Sequence, residues 1–293
     1  MSFREYLAEQ QQLIDRELAR LVPAENVPPE TIHRAMRYSL FAGGKRVRPI
    51  LCLEAGRAVA DSPRGIETAA CSLEFVHTYS LIHDDLPALD NDDYRRGKLT
   101  SHKVFGEAMA ILTGDALLTL AFETLSKMDV TADRKARVIA ELATAAGTVD
   151  GMIGGQVADL EGEGKTPDGE RLESIHRAKT GALLRASVRM GAIYAGAGEQ
   201  QLDAISRYGE HVGLAFQIVD DVLDVEQSSE SLGKTAGKDA RQQKITFPAV
   251  YGLAESRRMA ERELLGAHES LAIFGARAGR LRELADLIVQ RTS

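Results

Sequence analysis

Apolar residues recur at spacings of three and four along most of the chain, as in Leu13, Ile14, Leu18 and Leu21. This spacing places apolar side chains on one face of an α-helix, and strong helix formers such as Ala, Leu, Glu, Arg and Gln dominate. No run alternates as a strand would, and no strand precedes a glycine-rich nucleotide-binding turn. The pattern predicts one all-α domain over residues 1–293, with roughly ten or more helices.

Prolines and polar stretches predict where the helices are interrupted. Pro23 and the pair Pro28-Pro29 should end the first helix, and residues 90–100, 161–168 and 227–243 are typical of loops. Two segments, 108–125 and 140–153, are apolar on most sides. Such helices are usually buried in a core, although they could instead line a deep apolar pocket.

Charge and cysteine content exclude several classes of protein. The formal net charge is −7 and no long Lys/Arg run occurs, so we expect no nucleic-acid partner. Cys52 and Cys71 lie in apolar stretches and are predicted to be buried thiols. Because there is no apolar signal core and no uninterrupted run of about 18 apolar residues, we expect a cytoplasmic protein without a membrane span.

A dense acidic cluster follows the apolar segment 73–82. Five aspartates fall within residues 84–93: Asp84, Asp85, Asp90, Asp92 and Asp93. They repel one another, and acids at the C-terminal end of a helix also oppose its macrodipole. A solvated helix end with a turn at Pro87 is one interpretation of the cluster. A cation-binding site is the other, because a bound cation would offset both costs.

A second acidic cluster, Asp220-Asp221-x₂-Asp224, is embedded in the apolar run 214–223. Asp220 and Asp224 share one helix face, one turn apart. Acids in apolar surroundings must be paired, metal-bound or protonated. Carboxylate oxygens suit Mg²⁺, which commonly uses a few carboxylates together with substrate phosphates. If the two clusters face each other, several Mg²⁺ ions could bridge them through a diphosphate.

Basic residues lie near both acidic clusters and beside predicted loops. They occur in the segment Gly43 to Pro49 (GGKRVRP), in Arg95-Arg96, in Lys179-Thr180, and at Lys234, Lys238 and Lys244. Each alone is typical of solvated surface, but together they could bind phosphate groups, since Arg can bind phosphate oxygens through two hydrogen bonds.

In order along the chain, these motifs resemble those of the trans-prenyltransferases, the farnesyl and geranylgeranyl diphosphate synthases. Asp84-Asp85-x₄-Asp90 is similar to the longer bacterial form of the first aspartate-rich motif, and Asp220-Asp221-x₂-Asp224 to the second. The segment 43–49 and Gly154-Gly155-Gln156-x₂-Asp159 match two further signatures. The resemblance covers about residues 40–250. It implies an isoprenoid-synthase helical bundle with a central hydrophobic cavity, and a homodimer.

The resemblance also implies roles for individual residues. The Mg²⁺ ligands would be Asp84, Asp85, Asp90, Asp159, Asp220 and Asp224. The allylic diphosphate would be bound by Arg95, Lys179, Thr180, Gln217, Lys234 and Lys244. Isopentenyl diphosphate would be bound by Lys45, Arg48, His77 and Arg96. The catalytic set would be Asp84, Asp85, Asp90, Asp220, Asp221 and Lys179.

The implied reaction is the head-to-tail condensation of isopentenyl diphosphate with dimethylallyl and then geranyl diphosphate, to give farnesyl diphosphate. Mg²⁺ would assist ionisation to an allylic cation, which the alkene attacks before a proton is lost. Tyr79 lies five residues before Asp84. It resembles the bulky residue that forms the floor of the substrate pocket in bacterial farnesyl diphosphate synthases and limits the product to fifteen carbons, while Ser80 is too small to add to this floor. The C-terminal residues 290–293 carry only Arg291 as a basic residue, and we assign them no catalytic role.

Other functions remain as alternatives. A geranylgeranyl or geranyl diphosphate synthase would share all the motifs. A terpene cyclase usually lines its pocket with aromatic residues, whereas this chain has no Trp and 5% aromatic residues. A non-catalytic synthase subunit would be expected to lack acids from one cluster, and both clusters are intact.

Overall fold

The computed structural model describes residues 2–165, 168–226 and 245–290. Apart from one two-stranded hairpin, the secondary structure of these residues is helical, which confirms the all-α prediction. The α-helices are α1 Phe3–Leu21, α2 Glu30–Leu40, α3 Val47–Val59, α4 Ile66–Asp84, α5 Ser101–Phe105, α6 Glu107–Ser126, α7 Ala132–Ala146, α8 Met152–Gly162, α9 Gly169–His176, α10 Ala182–Ala195, α11 Glu199–Glu226, α12 Phe247–Tyr251, α13 Leu253–Ser270 and α14 Gly279–Gln290. A π-helical turn spans Arg177–Gly181, and a 3₁₀ segment spans Ala272–Ala278.

The described chain divides into two compact units. The first comprises residues 1–50 and 64–135, and the second comprises residues 51–63 and 136–293. The expectation of a single domain over residues 1–293 stays a prediction.

The first unit is organised around α4, which packs along α6 and also contacts α1 and α2. Helix α1 begins with a capping box: the Ser2 hydroxyl accepts from the Glu5 N–H, and the Glu5 carboxylate accepts from the Ser2 N–H at 2.7 Å. Ile14 and Leu18 of its apolar stripe are fully buried. Burial of that stripe fixes α1 against the rest of the unit.

The second unit is built on α11, whose main neighbours are α10 and α13. Part of its core consists of the buried residues Leu172, Leu214, Ile218, Val219, Leu223, Phe247 and Ala260. The same stretch of α11 carries the second acidic cluster. Packing of its apolar side chains therefore fixes the direction in which each aspartate points.

Two local predictions differ from the structure. The apolar segment 140–153 is not one helix, because α7 ends at Ala146 and α8 starts at Met152, with Asp150 in a left-handed conformation (φ 52°) between them. The predicted loop 90–100 contains a hairpin of β1 (Tyr94–Arg95) and β2 (Lys98–Leu99). Its turn residues Arg96 and Gly97 both have positive φ, which suits a two-residue hairpin loop.

Among the described residues, α6 is long and apolar enough to cross a membrane, and 39% of its apolar window is buried. Core helices of soluble proteins pass the same test, and α6 packs along α4. This helix is therefore weak evidence against the prediction that the chain has no membrane span. Cys52 and Cys71 are buried free thiols, as predicted.

Candidate active site

The first acidic cluster folds back on itself at the end of α4. The backbone N–H of Asp90 donates to the carbonyl of Asp84 at 2.8 Å, and that of Asp92 donates to the carbonyl of Asp85 at 3.2 Å. These bonds close a tight turn around Pro87, where the sequence predicted one. They bring the backbone of Asp90 against that of Asp84 at the end of the helix.

Asp85 differs from its neighbours because it points inward. Its side chain is 5% exposed and accepts hydrogen bonds from Arg95 Nε at 2.8 and 3.0 Å, while Arg95 Nη2 lies 2.6 Å from Oδ1. Burial raises the pKa of Asp85, and the ion pair with Arg95 opposes that rise without cancelling it. This geometry shows Asp85 fixing the β1–β2 hairpin to the end of α4. Its predicted role as a metal ligand is untested.

The predicted binding residues for isopentenyl diphosphate include a group of positive charges around His77. Burial lowers the pKa of His77 well below its usual value, and the neighbouring guanidinium groups of Arg48, Arg96 and Arg95 lower it further. The structure therefore places Arg48, His77 and Arg96 in one electrostatic neighbourhood. Lys45, three residues before Arg48, is exposed. At neutral pH the imidazole is uncharged, so the arginines supply the positive charge of this group.

The second acidic cluster also contains one inward-facing acid. Asp220 and Asp224 are half-buried, whereas Asp221 is only 7% exposed. The Asp221 carboxylate accepts from the backbone N–H of Phe247 at 2.9 Å, and its Oδ2 lies 3.3 Å from Nε2 of His176. Asp221 thus connects α11 to the start of α12 and to the end of α9. Sequence reasoning placed Asp221 in the catalytic set and did not foresee these contacts.

His176 was missed by sequence reasoning, although it lies three residues before Lys179. Its ring stacks on Phe247 with centroids 5.4 Å apart, and Nδ1 lies 2.9 Å from Oε1 of Gln217. Burial lowers the pKa of His176, but Asp221, Gln217 and Asp159 together raise it above its usual value. A protonated ring donates through Nδ1 to Gln217 and holds its positive charge beside the Asp221 carboxylate. The predicted substrate ligand Gln217 is therefore hydrogen-bonded to this histidine.

The π-helical turn Arg177–Gly181 carries Lys179 and Thr180, both partly buried. The Lys179 ammonium lies 2.7 Å from a carboxylate oxygen of Asp159 on α8. This contact requires close approach of α8 to the turn: a Cβ on Gly155 would collide with the Lys179 backbone. Two residues predicted to bind diphosphate and Mg²⁺, respectively, are thus in contact. π-Helical turns of this kind are often found at functional sites.

The predicted ligands Lys234 and Lys244 lie outside the described residues. Arg291, to which we assigned no role, lies outside them as well.

A cavity of about 930 Å³ in the second unit contains none of the predicted site residues. Its walls carry paired charges, including Arg189–Glu141 at 2.6 Å and Arg185–Glu210 at 2.9 Å. Because these cations already have acidic partners, the cavity lacks the excess positive charge that a diphosphate needs. We therefore do not assign it as the active site.

The acidic residues fit a hard cation by the chemistry of their donors, which are carboxylate oxygens throughout. Within the described ranges, no three acidic, histidine or cysteine side chains are grouped closely enough to hold a metal by themselves. Mg²⁺ often binds through one or two carboxylates, with waters and substrate phosphates completing its shell. The donor set is thus compatible with ions that bind together with a diphosphate.

Comparison with characterised proteins gives a consistent family. A "dimethylallyltranstransferase" of Fischerella ambigua is 50% identical over 98% of this chain and 83% of its own length. A "farnesyl diphosphate synthase" of Geobacillus stearothermophilus is 46% identical, covering 98% of this chain and 93% of that protein. A "geranylgeranyl diphosphate synthase" of Cyanophora paradoxa is also 46% identical, covering 98% and 96%.

A solved structure with a related name has the same fold. The crystal structure of a "geranylgeranyl pyrophosphate synthetase" from Pyrococcus horikoshii superposes with a TM-score of 0.88 at 33% identity, covering 99% of this chain and 98% of that one. The polyprenyl synthetase sequence profile matches residues 29–272. The chain therefore belongs to the polyprenyl synthetase family and is a prenyltransferase that elongates isoprenoid chains.

Proposed function

We propose that this prenyltransferase condenses isopentenyl diphosphate with dimethylallyl diphosphate and then with geranyl diphosphate, and releases the fifteen-carbon product farnesyl diphosphate. The observation that carries this product length is the position of Tyr79. The Geobacillus relative is named for farnesyl diphosphate, the fifteen-carbon product, whereas the Cyanophora relative is named for geranylgeranyl diphosphate, the twenty-carbon product. The alternative product is therefore geranylgeranyl diphosphate.

Tyr79 forms a fixed bulky group on α4 below the first acidic cluster. Five residues of helix place it about 7–8 Å from Asp84 along the axis. The side chain is 6% exposed, and its ring meets the edge of His83 with centroids 5.8 Å apart. His83 is itself fixed, since its Nε2 lies 3.0 Å from the carbonyl of Ile111 on α6. A chain growing along α4 would meet this ring.

Space for the His83 ring comes from Gly114 on α6, where any Cβ would overlap the imidazole. Tyr79 therefore packs, on its side nearer the acidic cluster, against a histidine that α6 holds in place. A floor that limits product length must resist displacement by the growing chain, and the burial of the Tyr79 side chain provides that resistance. Ser80 is half-buried and donates to the carbonyl of His77 at 2.9 Å. It adds no bulk.

We propose Mg²⁺ as the cofactor, held by Asp84 and Asp90 of the first cluster and by Asp220 and Asp224 of the second, with Asp159 as a further ligand. When bound, Mg²⁺ would stabilise the negative charge that develops on the departing diphosphate. Asp85 and Asp221 are already engaged with Arg95 and with the Phe247 N–H. We therefore assign them to holding the two clusters in shape.

The remaining residues bind and orient the two substrates. Arg95, Lys179, Thr180 and Gln217 are proposed to bind the allylic diphosphate, and Lys45, Arg48 and Arg96 the diphosphate of isopentenyl diphosphate. Asp159 fixes the Lys179 ammonium at 2.7 Å, which orients it before substrate arrives. The proposed reaction needs no protein nucleophile. It needs cations that stabilise the leaving group and apolar walls that exclude water from the allylic cation.

The test is incubation of the purified protein with isopentenyl and dimethylallyl diphosphates, with and without Mg²⁺, followed by sizing of the dephosphorylated products. A Mg²⁺-dependent fifteen-carbon alcohol supports the proposal. A twenty-carbon product would replace it with a geranylgeranyl diphosphate synthase. Diphosphate release from a longer prenyl donor alone would indicate a cyclase instead. Homodimer formation and a cytoplasmic location stay predictions, the first testable by analytical ultracentrifugation.

A further inference from the structure

Arg46 lies between Lys45 and Arg48, two proposed substrate ligands, yet it points into the protein. It is 3% exposed. Its Nε donates to Asp15 at 2.8 Å, Nη1 to Glu74 at 2.6 Å, and Nη2 to the backbone carbonyl of Leu40 at 2.7 Å. All three guanidinium nitrogens are thus engaged by protein atoms. Arg46 is not placed to bind a substrate phosphate.

The backbone at Arg46 needs support. Its φ is 51°, in the left-handed region that is unfavourable for a residue with a Cβ. Immediately afterwards the Arg46 carbonyl accepts from the N–H of Ile50 at 3.1 Å, which starts the first turn of α3. Arg48 lies in that first turn, close enough to lower the pKa of His77. The conformation of Arg46 therefore sets where α3 begins and where Arg48 is presented.

The two carboxylates around Arg46 are not equivalent. The Glu74 side chain is 3% exposed, whereas that of Asp15 is 40% exposed. An exposed ion pair contributes little, because water and salt screen it. A buried carboxylate without its partner is strongly unfavourable. Glu74 is therefore the main electrostatic partner of Arg46, and Asp15 is the weaker one.

Other bonds fix the residues just before Arg46. Gln11 on α1 donates to the carbonyl of Gly44 at 2.6 Å, and Arg96 in the hairpin turn donates to the carbonyl of Gly43. The segment 43–48 is thus connected to α1, to the end of α2 and to α4. Lys45 is left exposed between two anchored residues.

We propose that Arg46 is a positioning residue: its buried ion pair with Glu74, supported by Asp15 and the Leu40 carbonyl, fixes the segment 43–48 so that Lys45 and Arg48 bind the diphosphate of isopentenyl diphosphate. The inference rests on the proposed function, because it assumes that these two residues serve that substrate. It assigns Arg46 no contact with either substrate.

The test uses Arg46→Met combined with Glu74→Gln, because the single Arg46→Met change would leave Glu74 charged and buried and could prevent folding. KM for isopentenyl diphosphate, KM for dimethylallyl diphosphate and kcat are measured separately, with thermal unfolding as a check on folding. We expect KM for isopentenyl diphosphate to rise roughly 10- to 100-fold, the effect of losing about one charge-assisted hydrogen bond to its diphosphate. KM for the allylic substrate should change much less.

Arg46→Lys is the conservative variant. Lysine keeps the charge but acts as a single point, so it cannot bond Glu74, Asp15 and Leu40 at once. We expect an intermediate rise in KM for isopentenyl diphosphate. We also expect Asp15→Asn to raise this KM less than Glu74→Gln, following their exposure. Equal effects of the two would contradict the assignment of Glu74 as the main partner.

The second unit offers a matched control. Arg189 donates from Nε to Glu141 at 2.6 Å and also bonds Ser206, with the two ionic side chains 19% and 15% exposed. Arg189→Met with Glu141→Gln should lower thermal stability without changing the ratio of the two KM values. If the Arg46 double variant lowers stability but leaves that ratio unchanged, the proposal is wrong. If the wild-type protein does not consume isopentenyl diphosphate, the proposed function itself fails.

Discussion

At the scale of single residues, we expect the side chain at position 79 to determine product length. Tyr79→Ala removes the ring that rests on His83, so we expect products longer than fifteen carbons, measured by chromatography of the dephosphorylated alcohols. Tyr79→Phe is the matched control. The Tyr79 hydroxyl is buried and no hydrogen-bond partner for it is found among the described residues, so its removal leaves the floor intact and should not lower stability. An unchanged product in the Ala variant would exclude Tyr79 as the floor.

We expect His77 to make the stability of the folded protein depend on pH. Its pKa in the folded protein lies well below the usual 6.5, so below pH 6.5 the unfolded chain binds a proton that the folded protein does not. The folded state is therefore favoured above pH 6.5 and loses stability as the pH falls toward the folded pKa. His77→Gln removes this contribution. Urea unfolding at pH 7, 6 and 5 should show wild type losing more stability than the variant, and parallel losses would contradict the shift.

The same scale shows why neighbouring acids differ. From the sequence alone, Asp84 and Asp85 are equivalent carboxylates, and so are Asp220 and Asp221. A helix turns by about 100° at each residue, so consecutive side chains point in different directions. Burial then separates them: Asp85 bonds Arg95, and Asp221 bonds the Phe247 N–H. Which acid of each pair points inward is decided by packing.

At the scale of elements, we expect substitution of Asp221 to lower stability and substitution of Asp220 to lower turnover. Asp221→Asn leaves the His176 ring without its anionic partner and weakens the contact between α11, α9 and α12, at a cost of about 1–3 kcal/mol in the free energy of unfolding. Asp220→Asn changes a half-buried acid and should have little effect on stability. Its effect should be on turnover, because Asp220 is a proposed metal ligand. Urea denaturation and condensation assays of both variants test this, and equal loss of stability would contradict it.

Element boundaries show the limit of periodicity. Residues 140–153 are apolar enough for one helix, yet the chain turns between Ala146 and Met152. The residues there include Gly147, Asp150 and Gly151, which weaken a helix without forbidding it. The hairpin at 94–99 was missed for a similar reason, since two-residue strands are too short to show alternation.

At the scale of the whole molecule, metal binding should depend on the substrate anion. Within the described ranges no three potential ligands are grouped to hold a metal alone, so Mg²⁺ by itself should raise the Tm little. Mg²⁺ with inorganic diphosphate should raise it by a few degrees, because ligands that bind the folded state stabilise it. Thermal unfolding with each component alone and together measures this. A full shift with Mg²⁺ alone would indicate a preformed metal site. Addition of EDTA should abolish condensation.

The sequence by itself determined the all-α class, because helical periodicity and helix-forming residues are local properties that a chain expresses wherever it folds. It also determined the family, since several motifs occur in a fixed order. Tertiary structure decided the rest: that Arg46 points inward between Lys45 and Arg48, that His176 lies between Gln217 and Asp221, and that His83 packs on Tyr79. Each depends on residues distant in sequence, such as Glu74 for Arg46 and Phe247 for His176. Burial and pairing between distant segments leave no local pattern from which they could be read.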